Sequence, residues 1–207
     1  MDTYTSSTTG TNMIARARVY LAESTALKWS EAQLLQILND GCIEIASKAL
    51  CYQVKENVSL IADTIEYAPT NEYIKCVMAV VNPASGASWG LRMSNIRSIS
   101  DLPLTDTPGY FYDFAGSVGI FPPYSAVTTE TVTLYLAKLP AIITAGQTVL
   151  TPAIFDTALV YYIVGNALLV DRRYQEAGNY LNLHEREIDR YRQDFAGADY
   201  GTTDPIK

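Results

Sequence analysis

The chain is poor in the side chains that do chemistry. Its 207 residues hold one histidine and three cysteines, and 18% are charged, below the roughly 25% of an ordinary domain. Ser-His-Asp or Cys-His catalysis would have to run through His184 alone. That residue lies on an apolar helical stripe, where a histidine is far more often packed into a core than used as a base. Gly116-Ser117-Val118-Gly119 fails the G-x-S-x-G spacing of a nucleophile elbow and reads as a turn opening a strand. With one histidine and three scattered cysteines, Cys42, Cys51 and Cys76, that form no C-x-x-C pair, no metal site is expected, and the odd number of thiols points to folding in a reducing compartment. With neither a P-loop nor G-x-G-x-x-G, the sequence calls for no nucleotide, and no cofactor is expected.

Positive charge is also scarce. Fifteen Lys and Arg stand against 22 Asp and Glu, a net charge of −7. A general nucleic-acid binder carries the opposite sign, because phosphate neutralisation supplies most of its affinity. Between Ser98 and Ala137 there is no basic residue, while Asp101, Asp106, Asp113 and Glu130 are present. Turn residues such as Pro103 and Pro108-Gly109 mark these as loop carboxylates rather than calcium ligands. A plain acidic surface and a face lining a passage along which DNA slides without sticking both fit them. Residues 1–12 are polar, without the basic and apolar parts of a secretory leader, and read as a flexible arm.

What the chain does have is an apolar run, Ala158 to Val170, broken only by Gly165 and Asn166. A helix here is apolar on every face and must be buried all round, yet it falls short of the ~20 residues that span a bilayer. Cover is expected from other segments and partly from neighbouring subunits. Around this run three blocks emerge. Residues 13–52 read as two helices, 13–23 and 31–50. The second begins with a capping box, Ser30 and Gln33, with Trp29 placed to staple to Leu34. Gly41 inside it costs roughly 1 kcal/mol relative to Ala, and close approach of another backbone is one reason to accept that.

The block 53–148 is β-rich. Residues 131–137 alternate, with Val132, Leu134 and Leu136 on one face. Residues 73–81 read as a strand ending in the turn 82–86. Residues 110–114 and 117–121 read as a hairpin about Ala115-Gly116, and the phase change across Asp63-Thr64 suggests a hairpin or bulge in 58–67. Residues 149–196 return to helix, with Pro152 in a first turn and a break near Asp171-Arg172-Arg173. The stripe Tyr174, Ala177, Leu181, His184, Ile188, Tyr191 and Phe195 then forms a packing seam. Residues 197–207 read as a loose tail. The fold class is α+β: a bundle of two N-terminal and two C-terminal helices with an inserted small antiparallel sheet or sandwich. Fifteen tyrosines, several on the helices, also suggest subunit contacts.

With these blocks in place the chain resembles the head-to-tail adaptors, or connectors, of tailed bacteriophages. The stretch from Trp29 to Gly41 with Glu44-Ile45 resembles their opening helix, and Tyr67-Ala68-Pro69 a strand end. Ile120-Phe121-Pro122-Pro123 and Leu134 to Pro140 resemble later strands, and Ile154 to Asp171 the penultimate helix. The resemblance implies a non-enzymatic virion protein assembled in the host cytoplasm as a homo-oligomeric ring, a dodecamer in the usual arrangement. Such a ring docks beneath the portal, extends the DNA channel without reading sequence, and carries tail or nozzle proteins. No membrane is involved. A terminal tail often inserts into the portal, making 197–207 the candidate here, with Tyr191, Phe195, Tyr200 and Ile206 as candidate portal or subunit contacts. Two other readings remain open at this point. One is a neck or tail-tube gatekeeper; the other is a small cytosolic ligand-binding domain or enzyme.

Overall fold

The computed structural model describes residues 6–23, 28–102, 105, 107–124 and 129–194. The described residues divide into two units, one taking those up to Tyr52 and those from Leu139 to Asp194, the other those within Gln53–Lys138.

In the first unit four helices meet: α1 (Gly10–Tyr20), α2 (Glu31–Ala49), α3 (Asp156–Val170) and α4 (Tyr174–Asp194). The start of α2 is set locally, by Ser30 and Gln33 each capping the other's backbone N–H. Its end is a left-handed Leu50 whose N–H returns to Ala46, the usual way of closing a last turn. A short 3-10 turn, Ala153–Phe155, leads into α3. The break before α4 is Arg172, at φ 61°.

The apolar run is covered within the protomer. Ala158, Leu159, Val160, Ile163, Val164, Ala167 and Leu168 are all buried in one cluster with Met13, Leu38, Ile45 and Ile188. Much of the cover that the sequence seemed to ask of sibling chains is thus supplied by α1, α2 and α4. With the short turn before it included, Ala153–Val170 is by length and composition alone long and apolar enough to cross a membrane, at 18 residues and mean hydropathy 1.7. The same residues run between α1, α2 and α4, and half of the span is buried there.

Residues 6–12 are not a loose arm. Thr9 caps α1 by accepting from the Asn12 N–H. Backbone bonds tie Ser6 to Thr151, Thr8 to Val149 and Gly10 to Gln147. The hydroxyls of Ser6 and Thr8 both donate to Asp156 Oδ2, at 3.2 and 2.8 Å. A polar segment can be fixed without apolar burial when its donors find a carboxylate and free carbonyls. The partner segment, residues 139–148, accordingly belongs with the helices rather than with the β-rich insertion, which ends ten residues earlier than its composition suggests.

The second unit is a sandwich of two four-stranded sheets, ordered β1-β8-β3-β4 and β2-β7-β6-β5. These are β1 (Gln53–Ser59), β2 (Glu66–Tyr67), β3 (Lys75–Asn82), β4 (Trp89–Gly90), β5 (Arg92–Met93), β6 (Tyr110–Phe114), β7 (Ser117–Phe121) and β8 (Thr131–Ala137). All pairings are antiparallel except β5 with β6. Central β8 buries Val132, Leu134 and Leu136 completely, on the face its alternation marks. They share a core with Ala79 and Val81 of β3 and with Phe111, Val118 and Ile120 of the other sheet. The turn between β6 and β7 has both central residues at positive φ, Ala115 at 51° and Gly116 at 84°, the mirror-image geometry that suits strand twist. Residues 58–67 form no hairpin. Their phase change marks the chain leaving one sheet for the other, since β1 pairs with β8 and β2 with β7. Tyr67 fastens that crossover, its hydroxyl accepting from Ile61 N–H (3.1 Å) and donating to Thr64 O (3.2 Å).

Candidate functional site

Most polar side chains singled out in the sequence serve internal bonds. Asp113, on β6, accepts from the Cys76 N–H at 2.7 Å and the Tyr73 hydroxyl at 3.2 Å, which stitches β6 to the chain entering β3. Glu130 accepts from the Tyr124 hydroxyl, a bond that with partial burial pushes that phenol up to about 12. Asp101 ends a 3-10 turn, Ile96–Asp101, and is exposed. Asp106 lies outside the described residues. The described carboxylates thus do not share one solvent-facing row: two are held in hydrogen bonds and one is free to face water.

Tyr191 is half-buried, its ring 4.6 Å from Phe155, so it closes the bundle. Phe195, Tyr200 and Ile206, with the whole tail 197–207, lie outside the described residues. The other helical tyrosines pack within the protomer. Tyr20, Tyr161 and Tyr180, from three helices, form a cluster with centroids 6.1 to 6.2 Å apart. Tyr174 is exposed, and so in part is Tyr20 at the edge of the cluster. Among the described residues, the most exposed aliphatic side chains of this unit are Val19 (78%) near the end of α1, Ile142 (77%) in the segment before α3, and Val170 (68%) at the end of α3; Leu139, Ile154, Leu169 and Leu183 are exposed to a lesser degree.

The three thiols are poor nucleophiles. Burial is the main cause that pushes each of them up to about 12, with Cys51 adding to it at Cys42 and Asp113 adding at Cys76. A thiol so shifted has almost no thiolate at neutral pH.

His184 has the surroundings that sequence reading missed. It is 1% exposed, its ring 4.9 Å from that of Tyr162. Nδ1 stands 2.9 Å from Ala158 O; a carbonyl only accepts, so Nδ1 carries a hydrogen. Nε2 is buried and has no hydrogen-bond partner. It lies 3.7 Å from Glu44 Oε1. Lys48 donates to the carboxylates of Glu44, one turn back on α2, and of Glu185 on α4. Partial burial opposes ionisation of Glu44, but Lys48 and the Tyr162 hydroxyl more than offset it and hold its pKa below the ordinary carboxylate value. Glu44 and His184 are 140 residues apart. The pair Glu44 and Lys48 at i, i+4 was the only local signal, and it is the commonest kind of surface pair.

The whole architecture can be set beside known families. The SU10 adaptor protein family matches residues 8–204, nearly the full chain. The chain belongs to this family of adaptor proteins. No curated protein matches it.

Proposed function

We propose that the protein is the ring-forming connector of a tailed-phage particle, docking on the capsid portal, extending the DNA channel and presenting a platform to the tail. One observation carries this reading: an adaptor family matches residues 8–204, so that both units fall inside the match. The chemistry agrees. The buried thiols and the inward-held His184 offer no activated nucleophile. The net charge of −7 sets an overall repulsion against passing phosphates.

A closed ring repeats one heterologous interface, so each copy must expose two different complementary faces. Exposed Val19, Val170 and Ile142 are among the apolar residues with which the helical unit can begin such contacts. The test is to mix the purified chain with the portal ring of the same particle and measure mass by light scattering, then image the product. A ring of copies seated coaxially on the portal is expected. A chain that stays monomeric and leaves the portal bare would end the proposal. A ring whose channel is closed by a loop from the sandwich would instead favour a gatekeeper.

A further inference from the structure

We propose that Glu44, His184 and Glu185 form a binding site for a divalent transition cation of the zinc type, fastening α2 to α4. The ligand atoms of these residues lie within 4.8 Å of one another. Tetrahedral zinc with bonds of about 2.0–2.2 Å needs its ligand atoms roughly 3.3–3.5 Å apart. The Glu44 to His184 separation of 3.7 Å is already close to that. The remaining closure falls on Glu185, whose side chain is 47% exposed and can move.

Two features distinguish this cluster from a chance meeting of acids. The first is the imidazole: Nδ1 is held by Ala158 O at 2.9 Å, while Nε2 is buried with no partner. A metal-binding histidine has this arrangement, one nitrogen fixed by a carbonyl and the other left as an aimed lone pair. The second is charge. The two carboxylates carry the charge that one divalent cation neutralises, whereas Lys48, which bridges them now, supplies only one positive charge. Lys48 offsets the mutual repulsion of the carboxylates and, on its long flexible stem, can swing out when a doubly charged ion arrives. Three protein ligands leave a fourth position for water, the pattern of an open zinc site. The buried cysteines, pushed up to about 12, are weak competitors for the metal.

The experiment uses the untagged full chain, stripped with chelator, titrated with zinc(II) by calorimetry and with cobalt(II) by visible absorption. Saturable uptake of one metal per chain is expected, with cobalt bands of a low-coordinate oxygen–nitrogen site and a rise in thermal midpoint. Glu185→Gln, a change at a partly exposed position, is expected to weaken binding by about tenfold or more. Lys48→Met is expected to tighten it, because the resident cation is gone. His184→Gln is expected to abolish it in a chain whose circular dichroism is unchanged. Absence of uptake by the wild-type chain overturns the proposal. So does uptake that neither Glu185→Gln nor Lys48→Met alters, or cobalt spectra showing thiolate charge transfer.

Discussion

Single residues here act mainly as fasteners, and Glu56 shows how one is tuned. Partial burial works against its charge, yet N–H groups of Thr70 and Asn71 and the Asn71 side-chain amide hydrogen-bond the carboxylate and bring it down to about 2 from 4.5. The folded state therefore holds this group's proton more weakly than the unfolded chain does. Its contribution to stability is complete above about pH 4.5 and is lost as pH falls towards about 2. Glu56→Gln is expected to cost no more than ~1 kcal/mol at neutral pH, since the group is partly solvated, and to flatten the acid limb of stability against pH. Urea unfolding from pH 6 to 2.5 reads this; superimposable acid limbs would refute it. At the same scale the sequence was least legible. Ser30 and Gln33 could be read because capping is local. The ties Asp113 to Cys76, Asn39 to Ile143 and His184 to Glu44 could not. Each joins residues brought together only by the finished fold, so acids that looked like a surface row proved partly to be internal acceptors.

Elements, by contrast, were largely written in periodicity. The alternation of residues 131–137 gave the central strand, and the all-round apolar run gave the bundle axis, because a strict period of two with one buried face, or burial on every face of a helix, leaves few alternatives. Where reading failed, at residues 6–12 and 58–67, order came from hydrogen bonds to distant segments rather than from pattern. Glycines at element crossings were half legible. Gly41 does mark a close approach, but by the Tyr162 ring, 2.7 Å from where a Cβ would lie, rather than by a backbone. Gly165 meets Leu181 in the same way: a Cβ there would stand 2.8 Å from Leu181 Cγ. Gly165→Ala is therefore expected to destabilise by about 1–2 kcal/mol, overcrowding outweighing the helix preference for alanine of ~1 kcal/mol. In a Leu181→Ala background the crowding is gone, and the same change is expected to be neutral or stabilising. A double-mutant cycle by chemical denaturation measures the difference. Equal costs in both backgrounds would mean that α3 and α4 do not approach at Gly165.

On the scale of the whole molecule, a stable protomer and an assembly-competent surface are separable, because the apolar axis is already covered from within. Val19 and Val170, at 78% and 68% exposed, bury little in the protomer, so Val19→Asp and Val170→Asp are each expected to change its unfolding free energy by less than about 0.5 kcal/mol. A charge placed where a neighbouring copy must dry the surface costs far more in assembly than in folding. Light scattering should then show loss of rings on the portal with the melting curve intact; ring formation undiminished by both variants would remove these residues from the interface. Deleting residues 197–207 asks the complementary question. The bundle is already closed at Tyr191 against Phe155, so the truncated chain is expected to unfold at the wild-type midpoint. If the tail is what enters the portal, the contacts it makes there form only at docking. Affinity for the portal should then fall while ring size and protomer stability stay as they were. Full portal affinity in the truncated chain would place docking on the helical unit itself.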